Sequence, residues 1–232
     1  MMALQTWLDI TANNLANANT TGFKQDSVAF KDALETQINA NGGTGSPLGT
    51  LGTGPVPAGQ STSFELGPIQ QTGNALDLSI NSPNQMFAVK TPNGTRFTRD
   101  GAFTLNDSRE LVTQDGMPVL DDSSQPIILP TGTPSISNDG VLSVTSQNKT
   151  ESVATIGLFQ GNFQKEGLNR YIAGKAVLAQ TPQVTPNSLE GSNVNAVLAM
   201  TDLIKIQRNY ELIQKSVTQS DTSSQQMVEA MN

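Results

Sequence analysis

Most protein catalysts rely on a histidine or a cysteine, and this chain of 232 residues has neither. Without histidine it lacks the side chain that most often serves as general base, proton shuttle and metal ligand. Without cysteine it can build no disulfide framework and no thiolate metal site. Serine–histidine and cysteine–histidine arrangements are excluded by composition. Carboxylates remain. Asp121-Asp122 is an adjacent pair, but it precedes Ser123-Ser124 in a turn-like stretch and reads as solvated turn residues. Asn138-Asp139-Gly140 opens like a calcium loop, yet the later ligands and closing Glu of an EF-hand are missing, so a β-turn is expected. The glycines between Gly42 and Gly59 are not followed by the Lys and Ser or Thr of a phosphate loop. Asn-x-Ser/Thr triplets at Asn19, Asn93, Asn106 and Asn148 carry no weight in a chain rich in Asn and Thr. The expectation is a protein that is not an enzyme, with no catalytic residues, no metal and no cofactor.

Composition narrows the partners. Hydrophobic residues make up 36% of the chain and charged residues only 14%, well under the usual quarter. Asn, Gln, Ser and Thr fill the shortfall. Such a polar but weakly charged surface suits a subunit that packs against many copies of itself. The net charge of −7 argues against nucleic acid, since no basic patch is present to release counterions. No apolar run approaches the roughly 20 residues that span a bilayer, so no membrane insertion is expected. The N-terminus lacks a basic segment followed by an apolar core and does not read as a cleaved signal peptide.

The elements that would position any contact are the two ends. From about Asn195 to Met231, Ala196, Ala199, Leu203, Ile206, Tyr210, Ile213, Val217, Ser220, Ser224, Met227 and Met231 fall on one seam. Alternating three-and-four spacing without Gly or Pro predicts a helix packed along another helix, roughly 55 Å long at 1.5 Å per residue. Residues 1 to about 20 also read as a helix, with Leu4, Leu8 and Leu15 on its seam and Trp7 and Ile10 beside it. Asn13, Asn14, Asn17 and Asn19 are poor helix formers. They mark either a fraying helix end or side-chain amides that bond to neighbouring helices. Thr20-Thr21-Gly22 breaks the helix, Phe23 follows as an apolar anchor, and a second short amphipathic piece carries Val28, Phe30, Ala33, Leu34 and Ile38.

Residues 41–63 are rich in Gly, Pro, Ser and Thr and almost uncharged, which predicts a linker or extended arm. From 64 to 186 short apolar alternations are separated by turn signals roughly every ten residues, the pattern of an antiparallel sandwich or distorted barrel. Candidate strands are Leu76–Ile80, Met86–Thr91, Thr95–Arg99, Phe103–Leu105, Leu111–Thr113, Ile127–Leu129, Val141–Thr145 and Ser152–Phe159, with Tyr171–Thr181 leading back to the helices. Asn93-Gly94 and Asp100-Gly101 are pairs that tight hairpins favour. The expected fold is α+β. Long N- and C-terminal helices, paired like a coiled coil, form a discontinuous domain from residues 1–40 and 187–232. They bracket the arm and an inserted, mainly antiparallel β-domain.

Three stretches resemble the flagellar basal-body rod and hook axial proteins. The first is Ile10–Lys24, ITANNLANANTTGFK. The second runs from Gly73–Ile80 through Thr98-Arg99-Asp100-Gly101-Ala102-Phe103 and Leu111-Val112-Thr113 to the turn Gly116-Met117-Pro118-Val119. The third is Leu189–Tyr210, LEGSNVNAVLAMTDLIKIQRNY. The Leu-Glu-Gly-Ser-Asn-Val form and the Ala-Met-Thr-Asp-Leu-Ile run are more similar to proximal-rod members than to distal-rod members.

The resemblance implies a structural subunit of the rod that crosses the periplasm, exported through the flagellar export apparatus without a cleaved signal peptide. It would polymerise with copies of itself and neighbouring rod proteins through its terminal helices, forming a hollow shaft that transmits torque from motor to hook. A distal-rod or hook-type subunit, or an export-linked cap, is the alternative. The surface implied for packing comprises Leu4, Leu8, Leu15, Asn13, Asn14, Asn17, Phe23, Ala199, Leu203, Ile206, Tyr210, Ile213, Val217, Met227 and Met231. Thr98, Arg99, Asp100, Gly101 and Phe103 form the β-domain hairpin motif. Family members usually carry further residues ahead of the position of Met1, so the first helix is expected to start upstream or to lack its first turns.

Overall fold

The computed structural model describes residues 2–32, 36–39, 47–51, 55–147, 149–167 and 169–230. It divides into two units, each discontinuous in sequence.

The first unit comprises Met1–Ala16, Asp26–Ser61 and Asn195–Asn232. Its elements are α1 (Met2–Ala16), β1 (Asp26–Asp32), β2 (Thr36–Asn39), β3 (Pro47–Leu51), β4 (Pro55–Thr62, which ends just past the unit) and α2 (Ala196–Ala230). β1 pairs with β4 and β2 with β3, and α1 packs against α2 and β1.

Paired long helices bracketing a β-domain are not what the chain forms. α1 spans 15 residues and α2 spans 35, or about 22 Å against about 52 Å at 1.5 Å per residue, so α1 can lie along less than half of α2. Among the described residues these are the only helices, and the chain is mostly β. The expected helical piece after Phe23 is strand instead. Val28 and Phe30 alternate with Ser27 and Ala29, a period of two that suits β1. The arm and helical piece contain positions outside the described residues, at 33–35, 40–46 and 52–54.

The second unit comprises Asn17–Gln25 and Thr62–Val194. Its strands are β5 (Ile69–Gln71), β6 (Leu78–Ile80), β7 (Gln85–Thr91), β8 (Gly94–Thr98), β9 (Phe103–Leu105), β10 (Leu111–Thr113), β11 (Thr133–Ile136), β12 (Val141–Ser146), β13 (Lys149–Thr155), β14 (Leu158–Gly167), β15 (Arg170–Leu178), β16 (Val184–Pro186) and β17 (Ser188–Glu190). Four of them close into a barrel in the order β14-β15-β8-β7. β7 and β8 form a hairpin in which Thr91 pairs with Gly94 across Pro92-Asn93. Leu158 of β14 pairs with Phe87 of β7, and Tyr171 of β15 with Phe97 of β8. Around the barrel lie the antiparallel pairs β9–β10, β16–β6 and β17–β5 and the sheet β11-β12-β13.

β7 is buried on both faces, so its alternating side chains feed two cores. Phe87 and Val89 join Leu78, Ile80, Phe103, Leu111, Leu142 and Leu158. Met86 and Ala88 join Phe97, Leu120, Phe163 and Tyr171. Phe87 meets Phe103 edge-on at 5.0 Å between ring centres, a favoured aromatic geometry.

Some strand boundaries differ from expectation. Ile127–Leu129 forms no strand; Ile128 makes one isolated bridge to Glu110. The expected Ser152–Phe159 strand splits into β13 and β14 at Gly157, where a Cβ would come within 2.3 Å of the Asp121 carbonyl oxygen. The segment from Tyr171, expected to lead back to the helices, is part of the barrel. Its partner β14 escaped notice because a bulge between Gly161 and Phe163 interrupts the alternation.

Candidate assembly surface and terminal clasp

α2 starts at a built cap. The Asn195 side-chain oxygen accepts hydrogen bonds from the Val197 and Leu198 N–H groups at 3.1 and 3.2 Å, satisfying donors that a helix start leaves open. Burial along the predicted seam then runs out. Ala199 and Ile206 are buried, Ile206 at 1% exposure, and Leu203 and Tyr210 are half-buried. Ile213 and Val217 are exposed. Val197, Leu198, Met200, Ile204 and Leu212 are also exposed, Leu212 at 64%. At 100° per residue Val197, Met200 and Ile204 form a second apolar stripe, away from the one carrying Ile206. The side chain of Met227 and all of Met231 lie outside the described residues.

In α1, Leu4, Leu8 and Leu15 are half-buried, Asn13 is exposed and Asn17 is half-buried. Asn14 is buried and bonds the chain to itself. Its amide nitrogen donates to the Asp26 carbonyl at 2.7 Å and its oxygen accepts from the Asp26 N–H at 3.0 Å. That double bond fixes the start of β1. Neither reading of the asparagine run had anticipated it.

Phe23, expected on a packing seam, lies in the second unit instead. It is buried, with the Lys165 ammonium 4.0 Å from its ring centre. It belongs to a segment fastened at every residue. The Thr21 hydroxyl donates to Asp100 at 2.8 Å, and the Asn169 amide donates to the Thr21 carbonyl at 2.8 Å. Gly22 has φ +66°, and a Cβ there would meet the Arg99 backbone at 2.5 Å. Only glycine fits that approach in that conformation.

Lys24, Arg99 and Glu190 are fully buried and form one charged cluster. Lys24 Nζ donates to Glu190 Oε1 at 2.6 Å and to the Glu65 carbonyl at 2.6 Å. Arg99 Nη2 lies 2.8 Å from Glu190 Oε2, and Arg99 Nη1 donates to the carbonyls of Ser82 and Gln85. Burial lowers the pKa of both cations from their ordinary values, and Glu190 opposes that shift in each. This clasp ties the two terminal segments of the second unit, around Lys24 and Glu190, to its β-strands.

The residues of the Thr98–Phe103 motif work inside the fold. Asp100-Gly101 is not a hairpin turn, since β8 does not pair with β9. Thr98 donates to the Asn169 carbonyl, Arg99 enters the clasp, and Asp100 accepts from Thr21 and from the Ala102 N–H. A Cβ on Gly101 would lie 1.7 Å from the Leu78 carbonyl oxygen. Asp121 accepts from the Ser123 and Gln125 N–H groups, and Gly140 turns the chain between β11 and β12 at φ +76°. Glu190 was not singled out from the sequence. Its signal was the rarity of charge in this chain and its place within Leu-Glu-Gly-Ser-Asn-Val.

A β-rich unit clasped between its own terminal segments, and a long helix left partly uncovered, are the build of an assembly subunit. Comparison with known families places it. The family described as "Flagella basal body rod protein" matches residues 1–24. "Flagellar hook protein FlgE/F/G D1 domain" matches 71–144, and "Flagellar basal body rod FlgEFG protein C-terminal" matches 185–230. The flagellar basal-body rod protein FlgF of Caulobacter vibrioides is 36% identical, over 99% of this chain and 94% of the relative. FlgF of Mesorhizobium japonicum is 37% identical, over 99% and 93%. FlgG of Bacillus subtilis is 32% identical, over 98% and 94%. The chain belongs to the flagellar basal-body rod protein family, and its likeness to the FlgF members agrees with the sequence reading.

Proposed function

We propose that the chain is a structural subunit of the bacterial flagellar basal-body rod, in its proximal part, packing against copies of itself and neighbouring rod proteins. The exposed apolar run on α2 supports this most directly. Val197, Met200, Ile204, Leu212 and Val217 are exposed in the single chain and gain by leaving water, at about 25 cal/mol per Å² of apolar surface covered. Repeated contacts of this kind do not close on themselves, so they propagate into a shaft that carries torque across the periplasm from motor to hook. The subunit reaches that place through the flagellar export apparatus.

The test is retention. Basal bodies purified from a motile strain should contain the tagged chain in their rod fraction after the membrane rings are stripped. Its absence would sink the proposal and favour an export-linked cap. The 32% likeness to FlgG supports a distal-rod position as the second reading. Retention in rods assembled without the distal subunits separates the two.

A further inference from the structure

We infer that the two terminal segments of the second unit dock in a fixed order, Ser188–Asn193 first and Thr21–Gln25 second, because Glu190 must neutralise Arg99 before the Lys24 ammonium can be buried. The clasp holds two cations and one carboxylate in a site closed to water. Its two partly docked states differ sharply in charge. With only the C-terminal segment in place, Arg99 and Glu190 form a balanced buried pair. With only the N-terminal segment in place, Lys24 and Arg99 would share the site as two uncompensated positive charges, which low-dielectric surroundings disfavour strongly.

The backbone bonds show what each segment rests on. The C-terminal segment has partners of its own among the strands. Glu190 pairs with Ile69, Ser188 N–H donates to the Asp77 carbonyl, the Ser79 and Ser188 hydroxyls lie 2.8 Å apart, and Gly191 N–H donates to the Pro68 carbonyl. The N-terminal segment has partners in the unit as well, at Asp100, Asn169 and Glu65, and it adds bonds to the C-terminal segment. Gly22 N–H donates to the Glu190 carbonyl at 2.7 Å, the Phe23 carbonyl accepts from Asn193 N–H at 3.3 Å, and Gln25 N–H donates to the Asn193 side chain at 2.7 Å. Lys24 and Glu190 are 166 positions apart. A chain that ends before Glu190 therefore cannot close the clasp, since Lys24 would meet Arg99 without the carboxylate between them.

Hydrogen exchange read by mass spectrometry on the full chain tests the order. Lys24→Met should leave exchange at 188–193 within a few-fold of the unsubstituted chain. Glu190→Gln should speed exchange at 20–25 by about a hundredfold or more, the scale of losing the partner of a buried charge. Adding Lys24→Met to Glu190→Gln should recover part of the protection at 20–25, since one of the two stranded cations is gone while Arg99 still lacks its carboxylate. That comparison decides the matter even if Glu190→Gln alone unfolds the unit. The order is refuted if Lys24→Met releases 188–193 as fully as 20–25, or if the double variant is no better protected than Glu190→Gln. Absence of protection at both segments in the unsubstituted chain would also refute it.

Discussion

Gly101 and Asp100 are adjacent and constrain the fold by different physics. At Gly101 the constraint is space. A methyl group cannot coexist with the Leu78 carbonyl oxygen at 1.7 Å, so Gly101→Ala must push the backbone just before β9 away from the start of β6. A loss of about 3 kcal/mol is expected, the upper range for overpacking, and a urea titration would read it. At Asp100 the constraint is charge. Burial raises its carboxyl pKa above the usual value, while the Ala102 N–H and the Thr21 hydroxyl pull the other way. The folded state therefore holds this proton more tightly than the unfolded state. The contribution is fully present below the unfolded value and lost as pH rises through the raised folded one. Asn keeps an oxygen for Thr21 and Ala102 but carries no charge. Asp100→Asn should raise the urea midpoint at neutral pH, and the gain should vanish in acid. An equal gain at both pH values would show that charge burial is not the cause.

Among the elements, α2 offers the sharpest separation between folding and assembly. Leu212 is 64% exposed and Val217 48%, so Leu212→Asp and Val217→Asp place a charge in water and should change the stability of the free chain by under about 0.5 kcal/mol. In the rod the same charge would be buried without a partner, at several kcal/mol, and incorporation should fail. Ile206→Asp, at a 1% exposed site, should damage the free chain as well. Normal motility in the Leu212→Asp strain would show that this face stays in water. α2 was legible because its spacing is strict over many turns and it contains no Gly or Pro. The strand from Asp26 was misread because Val28 and Phe30 alone fit two periods. What decides between them is Asn14, twelve residues upstream, which local spacing does not reveal. The Phe103–Leu105 and Leu111–Thr113 strands were legible in full because loop residues bracket each. β14 and β15 were not, since a bulge and interspersed polar residues blur the alternation.

At the scale of the whole molecule, each unit is assembled from distant parts of the chain, and this is where sequence reading failed most. Pattern along the chain suggested helical ends around a β middle. Tertiary bonding instead gives Asn17–Gln25 to the β-rich unit and Asp26–Ser61 to the unit that holds the helices. The motif residues were found, but their roles as clasp and spacer depend on partners up to 166 positions away. The division predicts an order of trypsin cleavage. Lys215 stands within a stretch of α2, residues 211–219, that is exposed throughout, with little tertiary packing to hold it closed. Lys24 and Arg99 have fully buried side chains and backbones pinned by the clasp. Brief digestion of the free chain should therefore cut after Lys215 first and after Lys24 and Arg99 last, with fragment masses giving the order. Early cleavage after Arg99 would contradict the clasp. In purified rods the Lys215 site should resist the same treatment, because the contacts that bury α2 in the proposed assembly also close it to the protease. Equal cleavage in rods and free chain would place α2 on the outside of the shaft.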